Sequence, residues 1–219
     1  MLDTYKFIEK YKRISIIGME KNVGKTTLLN KLIADIGKTK KLGLTSIGRD
    51  GEDIDVVTNT DKPRIYVREG SIIATGRNCL AKCDITKEIL YVTNFTTPMG
   101  SIVLVRALSD GYVDIAGPSY NKQVKIVVEL MEKFGSEISI VDGALGRKST
   151  AISDVSEATI LSTGAALSLD MLKVVEETQK TVYFLRLEEI DREVKEKIKG
   201  QEIHFDKAEG LSINGNPVF

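Results

Sequence analysis

The chain has 219 residues, enough for one large domain with a substantial core that needs no disulfides. Its 31 basic and 31 acidic side chains cancel, so net charge favours neither nucleic acid nor an anionic membrane. Apolar residues are 42% and charged residues 28%, as in ordinary globular domains, and no apolar run approaches the ~20 residues of a membrane span.

The first residues, Met1 to Phe7, carry neither a signal-peptide core nor a cleavage site, so a cytoplasmic protein is expected. Residues 3–11 read as a short amphipathic lead-in. A β-type run over about 13–18 ends at Gly18. A polar loop, Met19-Glu20-Lys21-Asn22-Val23, leads to Gly24-Lys25-Thr26-Thr27 and then to a helical pattern over about 25–36, with Leu28, Leu29, Leu32 and Ile33 on one face. The second strand, Leu42 to Ile47, runs into Gly48-Arg49-Asp50-Gly51-Glu52-Asp53-Ile54-Asp55. Acids just after a strand of a parallel sheet lie where α/β folds bind ligands.

Residues 62–116 change character. Short β-type runs, punctuated by glycines, predict an antiparallel meander inserted into the sheet or extending it, with Asp110-Gly111 as a hairpin turn. The helical period returns over Tyr120–Phe134. The strand Ile138 to Val141 ends in Asp142-Gly143, and Ala158–Leu161 is another strand. A helix over Leu167–Thr178, a strand over Val182–Leu187, a helix over Ile190–Ile198 and a strand over Ile203–Phe205 complete the alternation. Such alternation predicts an α/β fold, a mostly parallel sheet with helices on both faces, in a single domain over 1–219.

Strand, loop and helix in this order make Gly24-Lys25-Thr26 a phosphate-binding loop of the Walker A kind. A polyphosphate needs several converging N–H donors, which a tight loop at a helix N-terminus supplies. The expected contacts run from Gly18 through Glu20, Lys21, Asn22 and Val23 to Gly24. Lys25 then reaches the β- and γ-phosphates, and Thr26, followed by Thr27, offers a hydroxyl to Mg²⁺. The plainer reading is an ordinary strand–turn–helix. A phosphate site of this kind also needs an acid at the end of a second buried strand, and Asp142 has that position. Arg147 and Lys148 follow it, where a cation can sense the γ-phosphate; the alternative is a solvated basic turn. Cys79 and Cys83 are the only cysteines and read as reduced structural thiols, because a zinc site wants four ligands and the one histidine, His204, is distant.

The loop resembles that of dethiobiotin synthetase, with five residues between Gly18 and Gly24 and an acid at Glu20. Lys21-Asn22 is similar to the loop of the molybdenum-cofactor guanylylation adaptors. Both belong to the P-loop class that includes the MinD/ParA-type ATPases. Many of that class carry a signature lysine five residues before the loop lysine; here Glu20 holds that position and Lys21 stands four before, so Lys21 is either a trans-acting catalytic lysine or a solvated one. Val141-Asp142-Gly143-Ala144-Leu145-Gly146 resembles the magnesium-binding string of dethiobiotin synthetase, which implies a metal role for Asp142 and, after the second strand, for Asp50. The substrate lysine of that enzyme has no counterpart in Leu44-Thr45-Ser46-Ile47, so the resemblance implies ATP and the fold, and not biotin synthesis. Thr45 to Glu52, Thr97-Pro98-Met99-Gly100, Ala116-Gly117-Pro118-Ser119 and Asp142 to Ser149 resemble the nucleotide-binding reactivase subunit of lysine 5,6-aminomutase.

These readings converge on a Mg²⁺-dependent ATP-binding P-loop NTPase. It is expected to be an ATPase that switches or reactivates a partner enzyme, with a protein partner or a homodimer and without nucleic acid or membrane. The alternative is an ATP-dependent small-molecule ligase or kinase. No Asn-Lys-x-Asp guanine-reading motif occurs, which favours ATP over GTP.

Overall fold

Runs of apolar residues with period two build the centre of the molecule. In the computed structural model, residues 8–48, 54–55, 60–61, 64–143, 155–186, 203–206, 210–213 and 216–217 are described. The chain divides into two compact units, Met1–Thr178 and Gln179–Phe219.

The first unit holds a seven-stranded sheet. Its parallel part comprises β1 (Arg13–Gly18), β2 (Leu42–Ser46), β6 (Ile72–Gly76), β10 (Ile138–Asp142) and β11 (Ala158–Ser162). Two antiparallel strands, β7 (Lys87–Thr97) and β8 (Gly100–Ala107), extend it, giving the order β11-β1-β10-β2-β6-β8-β7. The sheet is therefore mixed and mostly parallel. Part of the 62–116 block is a sheet extension, as expected, because β6 pairs parallel to β2 and β8 continues from it.

Side chains alternate between the two faces. Ile14, Ile16, Leu42, Leu44, Ile138 and Ile140 pack with Leu29, Leu32, Ile33 and Ile36 of α1 (Lys25–Ile36). Val141, Ala74, Ile102 and Leu104 pack with Val124, Val127, Val128 and Met131 of α3 (Asn121–Lys133). Each fully buried side chain of this size contributes roughly 1.5–3 kcal/mol. Burial of one apolar stripe per helix, rather than helix propensity, is what holds α1 and α3 to the sheet. Arg13 and Glu132 form a bidentate pair at 2.6 and 2.7 Å that ties the start of β1 to the end of α3. Both ends lie on the side of the sheet opposite the loop that follows Gly18.

Three expectations are corrected. Asp110-Gly111 does not close a hairpin. β9 (Gly111–Val113) leaves β8 and pairs antiparallel with β5 (Ile65–Val67). The Asp110 carboxylate accepts the Tyr66 hydroxyl at 3.1 Å and the Glu69 N–H at 2.8 Å, which makes the dipeptide a corner. The tight turn is instead Pro98-Met99 between β7 and β8, where Gly100 has φ 87°. Second, Val182 to Leu185 are not a strand but the last turn of α4 (Met171–Leu185). Asp170 caps this helix by accepting the Leu172 N–H at 2.9 Å, and no glycine or proline follows to stop its propagation. Third, the strand at 203–205 does not join the parallel sheet. In the second unit β12 (Ile203–Asp206) pairs antiparallel with β13 (Gly210–Ile213), which pairs with β14 (Asn216–Pro217).

Two short strands, β3 (Ile54–Asp55) and β4 (Thr60–Asp61), form a further antiparallel pair. Cys79, in the four-residue helix α2 (Arg77–Leu80), is buried, and neither it nor Cys83 is in a disulfide. Burial pushes the Cys83 thiol pKa up, and its Sγ donates to the Cys79 carbonyl at 3.3 Å. Among the described residues no helix is long and apolar enough to cross a membrane.

Candidate functional site

The carboxyl ends of β11, β1, β10 and β2 lie side by side, and the chain reverses its strand order there, with β10 between β1 and β2. This is the crevice where open α/β sheets take ligands. β1 delivers the loop after Gly18 into it. The Met19 N–H still bonds the Ser162 carbonyl at 2.9 Å, extending the β1–β11 ladder by one residue before the loop departs.

The loop then adopts two left-handed residues. Asn22 has φ 61°, and it is the positive-φ non-glycine residue among the described residues; Gly24 has φ 85°. A left-handed non-glycine residue is held there at a cost, which points to a conformation the surroundings require. Gly24 is the N-cap of α1 and offers no side chain to the helix, but its carbonyl accepts the Leu28 N–H at 2.9 Å. The Lys21 N–H is taken by the Glu20 carboxylate at 2.9 Å. From Asn22 to Thr27 the backbone N–H groups have no acceptor among the described residues, and neither has the Thr26 hydroxyl. Unpaired N–H donors at a helix N-terminus can take an anion, and the helix dipole favours negative charge there. No acid stands in the first turn of α1 to compete for it.

Side chains pack closely over Gly18. A Cβ there would lie 2.8 Å from Lys25 Cδ and 2.8 Å from Val23 Cγ2, so the lysine stem runs directly over this glycine. The ammonium of Lys25 ends on the Gly143 carbonyl at 2.9 Å. Gly143 is itself pinned to β1, its N–H donating to the Ile16 carbonyl at 2.9 Å. One residue earlier, Asp142 sits opposite Ile16 at the end of β10, and its carbonyl accepts the Ile47 N–H at 2.8 Å.

Asp142 Oδ1 is buried and has no hydrogen-bond partner among the described residues. Burial raises the pKa of this carboxyl, while the Lys25 charge and the Gly143 N–H pull it down. A buried carboxylate oxygen left unpaired beside a run of unpaired N–H donors fits a divalent cation that shares its ligands with a phosphate. Among the described residues no group of three or more His, Cys, Asp and Glu side chains is placed to hold a metal. Mg²⁺ does not need one, since it is usually held by one or two carboxylates with substrate phosphates and water.

Gly18, Glu20, Lys21, Asn22, Val23, Gly24, Lys25, Thr26 and Thr27 thus run from the end of β1 through the loop into the first turn of α1, and Lys25 contacts Gly143, the residue after Asp142. Asp50, Arg147 and Lys148 lie outside the described residues.

Two parts of the site had no role assigned from sequence. One is the Gly143 carbonyl, which receives Lys25. The other is the segment Asp114–Pro118, which straps the carboxyl ends of β2 and β6. The Gly117 N–H donates to Ser46 Oγ at 2.9 Å, and the Gly76 N–H to the Ala116 carbonyl at 2.9 Å. Thr75 Oγ1 donates to the Asp114 carbonyl and accepts the Ala116 N–H, both at 2.9 Å. The Pro118 carbonyl takes the Gly48 N–H at 2.9 Å, which directs the chain leaving β2. The Gly117-Pro118 punctuation was the available signal for this strap; its partners were not readable locally.

No protein-family model, curated protein or solved structure matches the chain.

Proposed function

We propose that the chain is a Mg²⁺-dependent, ATP-binding P-loop protein that works as a nucleotide-driven switch on a partner protein. The observation that carries this reading is the run of backbone N–H groups from Asn22 to Thr27 at the start of α1 that have no acceptor among the described residues, together with Lys25 and the buried Asp142 Oδ1, which has no partner among them either. The N–H groups would bind phosphate oxygens, Lys25 would supply charge to the β- and γ-phosphates, and Thr26 with Asp142 would hold a Mg²⁺ ion, which would supply further positive charge to the phosphates. The choice of ATP rests on the missing guanine-reading motif, and the switch on the resemblance to a reactivase subunit. The other reading, an ATP-dependent ligase or kinase, keeps the same nucleotide site and adds an acceptor. Turnover separates the two: slow ATP hydrolysis by the isolated protein, unchanged by a pool of small metabolites, belongs to the switch, and strong stimulation by one metabolite overturns it.

Asp142→Asn tests the metal half. Mg²⁺ with ATP is expected to raise the wild-type melting temperature more than either alone, since a ligand at a hundred times its Kd adds about 2.7 kcal/mol. The variant is expected to lose most of the magnesium-dependent increment. Without ligand it is expected to melt above wild type at neutral pH. The sign follows from the raised pKa of Asp142: a carboxyl harder to ionise in the folded state costs stability once pH exceeds its unfolded value near ~4. That cost grows until pH passes the folded pKa and is absent in strong acid, so the two proteins converge there. Equal magnesium increments in both proteins would return Asp142 to the role of a turn acid.

A further inference from the structure

We propose that the open edge of β7 is where two copies of the chain meet, their β7 strands pairing antiparallel about a two-fold axis so that one sheet continues into the other.

β7 is the last strand of the seven-stranded sheet and pairs with β8 on one side; no strand among the described residues lies on the other. Which groups this leaves open follows from the ladder. The Ala107 N–H donates to the Ser71 carbonyl and its carbonyl accepts the Gly70 N–H, both at 2.8 Å, so Ala107 turns away from β7. The Leu108 N–H donates to the Thr86 carbonyl at 2.8 Å, so the next residue turns the other way. Antiparallel pairs alternate in this sense, so Val105 and Val103 turn away from β7 as Ala107 does. Their partners Ile89 and Val92, with Lys87 opposite Ala107, therefore direct their own N–H and C=O groups to the open edge. None of these three N–H groups has an acceptor among the described residues. An irregularity between Ile89 and Tyr91 supplies the extra residue that sets Ile89 and Val92 three positions apart.

The side chains along this edge are apolar. Ile89 is 63% exposed and Val92 57%, beside Val105 and Val103 of the α1 face of the sheet. Tyr91 is 47% exposed on the α3 face, near Phe134. From Ile89 to Thr97 the strand carries no charge and no proline, features by which natural sheets keep an edge unpaired. Such an edge takes an extended strand, and a second β7 is a matching one. About an axis midway between Ile89 and Val92, Ile89 of each copy falls opposite Val92 of the other. Each of these apolar pairs can exchange both of its N–H···O bonds. Tyr91 of the two copies meets across the axis on the other face. Lys87 and Glu88 share one end of the strand, so antiparallel pairing carries them to opposite ends of the contact and no like charges face each other. The contact uses the same patch on both copies and closes at two.

Sedimentation velocity of the full chain over a range of micromolar concentrations is expected to show a reversible dimer. Ile89→Lys and Val92→Glu, each alone, are expected to weaken it about tenfold or more, because each sets an unpaired charge against an apolar side chain. Mixed in equal amounts, the two variants are expected to recover a dimer, since the new lysine of one then faces the new glutamate of the other. Both positions are exposed, so circular dichroism should match wild type. Leu169→Lys, at a side chain 99% exposed and outside the sheet, should leave dimerisation unchanged. A wild-type chain that stays monomeric, a dimer that withstands both substitutions or is lost with Leu169→Lys, or a mixture that fails to recover overturns the proposal. If either variant misfolds, amide hydrogen exchange of the wild type decides. Protection of the Ile89 and Val92 amides rises with concentration if the edges pair, and protection independent of concentration overturns the pairing.

Discussion

Lys25→Ala is expected to lower ATP affinity by about a hundredfold or more while leaving the fold intact. On the proposed reading the lysine would offer two charge-assisted bonds to phosphates, each worth ~1.5 kcal/mol or more, and ~1.4 kcal/mol is a factor of ten in affinity. Nothing in the core depends on it. The buried face of α1 is Leu29, Leu32, Ile33 and Ile36, all beyond the first turn, and Lys25 itself is only partly buried. The far-UV circular dichroism spectrum should match wild type. Calorimetric titration with ATP and Mg²⁺ measures the loss. A folded variant with wild-type affinity would remove the phosphate role from this loop.

The second large effect is on stability. Gly117→Ala is expected to cost about 4 kcal/mol or more, at the extreme of single substitutions. A Cβ at this position would fall 1.8 Å from the Ser46 carbonyl oxygen and 2.7 Å from Thr45 Oγ1. The closest contact is backbone of a buried strand, so no side-chain rotation relieves it. Either the strap over β2 and β6 lifts, breaking its bonds to Ser46 and Gly76, or β2 shifts in the sheet. For a chain of this size ~1 kcal/mol moves the melting temperature by about 2–4 °C, so a fall of about 8–16 °C is expected. Gly164→Ala is the control, because a Cβ there meets nothing within 4 Å, and its stability should stay within about 0.5 kcal/mol of wild type. Equal melting of the Gly117 variant and wild type would mean the strap does not approach β2 this closely.

Much of the first unit was legible because its signals are local. The period-two runs of β1, β2 and β10 and the apolar stripes of α1 and α3 come from consecutive residues, and burial enforces the same pattern. Where two local signals competed, sequence misled. Val182-Tyr183-Phe184-Leu185 has β-forming side chains, but the helix started at Asp170 runs through them. Asp110-Gly111 has hairpin chemistry, but Tyr66 and Glu69, more than forty residues away, take its carboxylate and turn the chain aside.

The candidate site divides in the same way. By itself the sequence determined the strand, loop and helix order at residues 13–36, because the three are contiguous and the left-handed turn falls on Asn22 and Gly24. It also placed an acid at the end of the Ile138–Asp142 strand. Only the tertiary structure decided that this strand lies beside β1, and that decides the rest. With Asp142 opposite Ile16, the Gly143 carbonyl comes within 2.9 Å of the Lys25 ammonium, although 118 residues of chain separate them. The same adjacency buries Asp142 Oδ1 away from any partner among the described residues. Desolvation and charge pairing depend on what the other strands bring near, and no residue's immediate neighbours in sequence carry that information.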